Sequence, residues 1–474
     1  MEAKYAPGVI VLNKRYFPRD ALSAAQVGAS AFTLSVLRVL LDAKVLSGVV
    51  LYSRDESITQ AHCSIEEEWN GIPVVTVYFN FRMSQQNVAY ALSLAFNYTA
   101  LQQRGKRSHP IVYYQTDTLL QYHPHGYQFC VTHHGPFVSH FDKQFSPELS
   151  RLAFGGDADK VDILAQQQRT GIEKLLEDKL GTVLAHSGLQ QRVLEDERLS
   201  ANRFKTLRPP IGVPPTQSPS ILPENMQQFI AESEILLLTA VARLDYFKNV
   251  ELLVESGKKL LNKGLPVRVL VVGDPEEQSS RRADLLSLVP VSQRHNFLIL
   301  PRLPKDHLYA LFAATTQNGI FICPSRYETL GITPLEAAAS GVMTLMTETP
   351  NVEALAFMPP TCQVSQEAES IAERVEKIYH DGIPMWAEKV KNHVRPETSL
   401  EGFGADLLRA WAEMTMARRR STPTPLTRQD RVTSWDRRVT TRPRPRLATG
   451  FLSESFAEML KHVPMSPVSL MVSP

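Results

Sequence analysis

The feature that most restricts the fold of this chain is a repeated alternation along nearly its whole length. Short apolar runs occur at 9–13 (VIVLN), 48–53 (GVVLYS), 73–79 (PVVTVYF), 110–114 (PIVYY), 129–133 (FCVTH) and 182–186 (TVLAH). Longer amphipathic stretches separate them and predict helices over about 21–43, 84–104 and 160–179. Strand-length runs alternating with helix-length stretches describe an α/β protein with parallel sheets.

The alternation breaks once. Residues 207–224 (LRPPIGVPPTQSPSILPE) hold six prolines and show neither helical nor strand periodicity, which reads as a connection between domains. Beyond it the pattern restarts, with strands expected at 235–241, 267–272, 296–300, 319–323 and 342–346. Helices are expected at 249–263, 305–315 and 334–340, and Lys263-Gly264 supplies a helix stop. The expected organisation is a first domain over 1–215, a linker over 216–230, a second domain over 231–400, a helix over 401–420 and a tail over 421–474. Two such domains leave a cleft, and parallel sheets bind ligands at the carboxyl ends of their strands.

The most informative strand end lies in 319–341, GIFICPSRYETLGITPLEAAASG. A buried strand ends at Cys323, a loop turns at Gly331, and a helix is expected to open at Thr333-Pro334-Leu335-Glu336, with threonine as cap and proline in the first position. A helix start after a glycine-containing loop presents unpaired N–H groups to an anion such as phosphate. Glu328 and Glu336, eight positions apart, can both accept hydrogen bonds from sugar hydroxyls. Thr333-x-x-Glu336 is equally a capping box, which needs no ligand.

A second cluster, 241–250 (VARLDYFKNV), places Arg243 and Lys248 between a buried strand and a helix. Two cations there can neutralise a diphosphate through charge-assisted hydrogen bonds. Read alone, they are ordinary solvated surface cations.

Together, R-x4-K after the first strand of the second domain and E-x7-E across a strand, loop and helix resemble the retaining GT-B glycosyltransferases that include sucrose synthases and bacterial mannosyltransferases. Val272-Gly273-Asp274 is similar to that family's mid-domain strand end. The resemblance is strong over about 235–345 and weaker in the first half. It implies a GT-B fold, two Rossmann-like α/β domains facing each other across a cleft, with the acceptor on the first and a nucleotide-sugar on the second. It also implies roles. Arg243 and Lys248 would bind the donor diphosphate and stabilise its departure. Glu328 would contact the transferred sugar. Thr329, Leu330 and Gly331 would offer N–H groups to sugar and phosphate, Leu335 a backbone contact to phosphate, and Glu336 a hold on the ribose.

In the first domain, Thr132-His133-His134-Gly135-Pro136 is similar to the family's T-x-H-G, which puts His134 on the transferred sugar and leaves His133 as the alternative. The segment 25–30 (AQVGAS) has only Gly28 where the family has a glycine pair near the phosphates. A second departure is at Thr347 to Glu353 (TETPNVE), where the family has G-G-x-x-E; Glu353 keeps the acidic position without the glycines. Acceptor contacts are expected from loops 14–22, 80–86 and 115–128, with Tyr122, His123, His125 and Tyr127 in the last. The helix at 401–420 is expected to cross back to the first domain, as in similar proteins.

Composition narrows the alternatives. Between Arg418 and Arg446 ten arginines face only Asp430 and Asp436, +8 in a chain whose total is +2, so the remainder stands near −6. That balance argues against nucleic acid as a partner. The arginines lie among Pro423, Pro425, Pro443 and Pro445, and the expectation is a solvated, disordered tail rather than a membrane-binding patch. Cys63, Cys130, Cys323 and Cys362 are scattered, as suits free thiols in a reducing compartment, and a cytoplasmic enzyme is expected. Asp157-Ala158-Asp159 resembles a metal-binding D-x-D but reads as a loop or cap, so neither metal nor cofactor is expected. The expected activity is hexosyl transfer from a UDP- or GDP-type sugar to a small-molecule or glycan acceptor, with retention and without metal. The alternatives are a sugar phosphorylase on the same scaffold and a catalytically silent nucleotide-sugar-binding protein.

Overall fold

The computed structural model describes residues 5–17, 28–101, 110–154, 158–214, 219–273 and 279–421. The expectations placed on residues 18–27, Asp157, Asp274 and the tail beyond residue 421 lie outside them, as do the side chains of Asp159 and residues 419–421.

Two sheets form, each from one half of the apolar runs. The first contains β1 (Gly8–Asn13), β2 (Leu46–Arg54), β3 (His62–Ile65), β4 (Val74–Phe79), β5 (Ile111–Tyr114), β6 (Gln128–Val131), β7 (Thr182–Ala185) and β8 (Phe204–Thr206). Their order is β3-β4-β2-β1-β5-β6-β7-β8, parallel except for β3, which pairs antiparallel with β4 at the edge. The second contains β9 (Ile235–Ala240), β10 (Val267–Val272), β11 (Phe297–Leu300), β12 (Gly319–Cys323), β13 (Met343–Thr347) and β14 (Gln363–Val364), all parallel, in the order β11-β10-β9-β12-β13-β14. Every residue of β9, β12 and β13 is buried, because helices cover both faces.

The helices of the first half are α1 (Gly28–Asp42), α2 (Gln85–Leu101), α3 (Val138–Gln144), α4 (Pro147–Ala153), α5 (Ala158–Glu177) and α6 (Gly188–Asp196). Those that follow are α7 (Glu224–Ala231), α8 (Val250–Asn262), α9 (Ser279–Ser287), α10 (Lys305–Ala314), α11 (Ile332–Ser340), α12 (Ala368–Asp381), α13 (Ile383–Thr398) and α14 (Leu400–Ser421). α8 ends where Lys263-Gly264 predicts, with Gly264 at φ +83°.

The expected linker over 216–230 is too long. Glu224–Ala231 is helix, and its Met226, Phe229 and Ile230 pack into the second core. Prolines on its approach mask an amphipathic helix of about two turns. The crossing lies before that range, at a hinge where Ile211 pairs with Ser399 and its N–H donates to the Thr398 carbonyl at 2.8 Å. Both chain crossings between the domains therefore run side by side.

α14 packs on the first domain. Phe403, Leu407, Ala410 and Trp411 share a core with Ile10, Leu12, Phe32 and Leu37. The Trp411 indole donates to the Ala6 carbonyl at 2.9 Å, and its ring lies so close to Gly8 that a Cβ there would come within 2.5 Å of it. Arg208 and Asp406 pair at 2.8 Å beside the hinge.

Candidate active site

The order of the second sheet explains why two clusters far apart in sequence form one site. Between β9 and β12 the connections leave in opposite directions, which opens a crevice at the carboxyl ends of these two strands. Residues 241–249 follow β9 and residues 324–331 follow β12. The loops are tied together: Arg326 N–H donates to the Phe247 carbonyl at 2.8 Å, and the Arg326 guanidinium lies 4.1 Å from the Tyr246 ring centre. Lys248, 80 residues before Glu328, forms an ion pair with it, and Ser325 Oγ donates to the same carboxylate oxygen at 3.0 Å. Asn249 follows in the left-handed region at φ +51° and heads α8.

Gly331 also lies in the left-handed region, at φ +90°, and is the cap of α11. The helix thus opens two residues before the Thr333-Pro334 start expected from sequence. The correction follows from Gly331: its backbone conformation is one other residues adopt only at a cost, and it turns the chain into the helix by itself. No side chain caps the helix, so Thr333-x-x-Glu336 is not a capping box. The Glu336 carboxylate points elsewhere. Its Oε1 accepts from Lys305 and, at 3.1 Å, from the Tyr309 hydroxyl, while its Oε2 is buried without a hydrogen-bond partner. A buried, unpartnered carboxylate oxygen is a costly feature in a folded chain and is ready to accept a hydroxyl. Leu335 is fully buried beside it.

The backbone of the Glu328 loop is ordered by residues 351–354. Glu328 N–H donates to the Asn351 carbonyl at 2.9 Å, and Ala354 N–H to the Leu330 carbonyl at 2.6 Å. The N–H groups of Thr329, Leu330 and Gly331 make no hydrogen bond among the described residues. Arg243 stands further out. Its side chain is 58% exposed and pairs with Asp245 at 3.1 Å.

The first domain contributes the ends of β5 and β6. Thr329 Oγ1 donates to the His134 carbonyl at 2.9 Å, a direct contact between the domains. The His134 ring lies between Phe32 of α1 and His186, with centres 5.0 and 5.3 Å away, and its Nε2 meets Gln115 Oε1 at 3.1 Å. Burial, then the neighbouring imidazoles of His186 and His133, hold it well below the usual histidine pKa, so it is neutral. His133 turns the other way. It is 2% exposed, with Nδ1 at 3.5 Å from Asp117 Oδ2. Burial raises the Asp117 carboxyl, but hydrogen bonds and charge from His133 and Gln168 prevail and leave it below its usual value. The two neighbours thus occupy different surroundings, and only His134 meets the Glu328 loop. Gly28 is the first residue of α1.

The aromatic residues expected to favour an acceptor are mostly core. Tyr122, His123 and Tyr127 are buried, and only His125 of the four is exposed. The period-free loop 115–128 hid a tertiary reason for its rings: His123 bonds Tyr114 and the Tyr127 carbonyl. Sequence reasoning also missed Lys305 and Tyr309, whose helical spacing reads as ordinary amphipathic pattern, and the apolar contact between domains. There Phe141 lies 5.1 Å from Phe247 and 5.0 Å from Tyr327, ring centre to ring centre. A cavity of about 410 Å³ opens beyond that contact, lined by Leu152, Tyr246, Arg281 and Arg326 among others; the expected donor residues do not line it. No helix among the described residues is long and apolar enough to cross a membrane.

Two parallel-sheet domains meeting at their strand ends, with Lys248 and a helix start converging at the second sheet's crevice, define the GT-B class of glycosyltransferase folds. Residues 223–395 match the family model described as glycosyl transferases group 1. Among solved structures, the chain is similar to a sucrose-phosphate synthase from Thermosynechococcus elongatus, at 16% identity and TM-score 0.58, over 87% of this chain and 100% of the other. It is similar to an α,α-trehalose-phosphate synthase (UDP-forming) from Burkholderia xenovorans, at 13% identity and TM-score 0.54, over 85% and 99%. It is also similar to HepE from Anabaena, solved in complex with UDP and glucose, at 13% identity and TM-score 0.56, over 85% and 98%. Comparison with curated proteins finds no match.

Proposed function

We propose that this chain is a retaining glycosyltransferase that moves a hexosyl group from a UDP- or GDP-sugar to a small-molecule or glycan acceptor without a metal ion. The observation that carries this reading is the meeting of Lys248 and Glu328 beside Gly331, at the open end of α11 and in one crevice with the half-free carboxylate of Glu336. A diphosphate placed there would meet the Lys248 ammonium, the unpaired amides of the loop and, once it leaves Asp245, the exposed Arg243 guanidinium. Glu328 would hold hydroxyls of the transferred sugar, and Glu336 Oε2 would accept from the ribose. Leu335 would complete the helix-end backbone contact, and Gly28 would approach the phosphates from the first domain.

Bond cleavage to the diphosphate builds negative charge on the leaving oxygen, and preorganised cations and amide dipoles aimed at that charge are commonly the largest catalytic contribution. Such an array supplies the charge that a divalent ion would otherwise provide. His134, neutral and held against Gln115, would position the sugar from the acceptor side. Retention is proposed to proceed by departure and attack on the same face. The UDP bound in the HepE structure supports UDP as the first nucleotide to try.

The test is calorimetry of the full chain against UDP, GDP and their hexose conjugates, followed by turnover with and without EDTA. Binding of one nucleotide in the micromolar range and EDTA-insensitive transfer support the reading. Phosphate-dependent turnover with no nucleotide binding would replace it with a phosphorylase.

A further inference from the structure

The segment Thr347 to Glu353 departs from the family's glycine-containing pattern, and the structure gives that departure a use. Glu353 begins a short 3-10 helix after β13 and is only 8% exposed. Its carboxylate does not face its own domain. Oε2 accepts the N–H of Gly188, the first residue of α6, at 2.8 Å, and Oε1 pairs with the Arg192 guanidinium one turn along the same helix. A carboxylate on the amino end of a helix satisfies orphan N–H groups and is favoured by the helix dipole. This carboxylate belongs to the second domain and the helix to the first.

The same short segment also orders the Glu328 loop. Asn351 and Ala354, on either side of Glu353, make the two backbone hydrogen bonds to Glu328 and Leu330, and Glu328 pairs with Val352 as a parallel bridge. Between those bonds Thr329 reaches the His134 carbonyl. The strap 351–354 therefore grips the loop through its backbone and the opposite domain through one side chain.

We propose that Glu353 is a positioning residue: its clasp on Gly188 and Arg192 holds the domains closed and, through the strap, presents the Glu328 loop to His134. The consequence for transfer rests on the donor-site reading given above, whereas the clasp itself can be measured without any ligand. Glu353 is buried while the Arg192 side chain is 60% exposed, so the loss is that of charge-assisted hydrogen bonds to a single buried carboxylate, which typically shifts the equilibrium about 10-fold or more.

The experiment uses the full chain as wild type, Glu353→Ala, Glu353→Gln and Arg192→Met. Small-angle X-ray scattering reads domain opening, hydrogen exchange reads residues 325–331 and 350–356, and calorimetry with UDP and with GDP reads the donor site. Glu353→Ala is expected to enlarge the radius of gyration and to speed exchange at Glu328 and Ala354 about 10-fold while the β9 and β10 amides keep their protection. Arg192→Met, which keeps the Gly188 bond, should open less, and Glu353→Gln should fall between. Should Glu353→Ala not fold, the graded pair Arg192→Met and Glu353→Gln carries the same comparison. Unchanged scattering and exchange in the variants overturn the clasp. Uniformly faster exchange throughout the chain also overturns it, because that marks mere destabilisation. A clasp response in a protein that binds neither UDP nor GDP leaves the clasp standing and removes the donor-site reading.

Discussion

Lys248 and Glu328 pair across the crevice, so the cation expected to meet a diphosphate and the carboxylate expected to meet its sugar neutralise each other. Each is less than a quarter exposed. A bound nucleotide-sugar would insert between partners that are already in place rather than order two free side chains.

This arrangement separates two substitutions. Lys248→Met should weaken UDP binding by about 10–100-fold, the range for losing a charge-assisted hydrogen bond. Glu328→Gln should retain nucleotide binding and lower turnover by about 100-fold or more, because its contacts count where the sugar reacts. Calorimetry and initial rates on both variants check the split; equal losses of affinity in the two would contradict it.

Tyr309 is in reach of two acceptors. Its hydroxyl lies 3.1 Å from Glu336 Oε1 and 3.1 Å from the Gly212 carbonyl at the hinge. Burial, then the Glu336 charge, raise its pKa, so the hydroxyl keeps its proton. Tyr309→Phe should lower unfolding stability by about 1–2 kcal/mol, the cost of leaving a buried acceptor short of a donor. Urea unfolding measures this. The variant's ligand-free hinge should also show faster exchange at Ile211.

His123 makes acid stability predictable. One ring nitrogen meets the Tyr114 hydroxyl at 2.8 Å and the other the Tyr127 carbonyl at 2.9 Å, a fit for the neutral ring donating from Nε2. Burial pushes its pKa down to about 4, and burial does the same for His186, also to about 4. With pKa values depressed in the folded chain, the unfolded chain binds more protons as pH falls, so stability is full above about 6.5 and declines toward 4. Each ring contributes on the order of 3 kcal/mol to that decline. Urea midpoints between pH 7 and pH 4.5 should fall steadily, and His123→Asn should flatten the slope.

Phe247 sits between Arg243 and Lys248 in sequence yet packs into the first domain's core against Phe141 and Phe145. Phe247→Ala should cost about 3–5 kcal/mol by the usual toll of emptying a buried aromatic site. It should also loosen the domain contact, which a calorimetric scan would register as a broadened or split transition.

Much of this architecture was legible because the local and tertiary signals agree. β9, β10 and β12 are apolar at nearly every position, as strands covered on both faces must be, and they were placed within a residue or two of their ends. β3 (HCSI) is a half-exposed edge strand with no such run and was missed. α4 carries its own start signal, Ser146 capping Leu149 with Pro147 first, but only seven residues follow, too few to show a period. In the site, Arg243, Lys248, Glu328 and Glu336 could be found from spacing within one domain. The Glu353 contact could not, because its partner Gly188 lies 165 residues away in the other domain. Thr333 and Pro334 mimic a helix start because threonine and proline are good openers anywhere, whereas the left-handed Gly331 that opens α11 answers to the fold.

The packing of Trp411 against Gly8 has a consequence for synthesis. The second domain is continuous in sequence, while the first borrows a helix from the far end of the described chain. Domains usually complete themselves as they leave the ribosome, in order of appearance. Here the portion translated first must wait with an uncovered apolar groove until residue 414 or so has emerged, so the half made second is finished first.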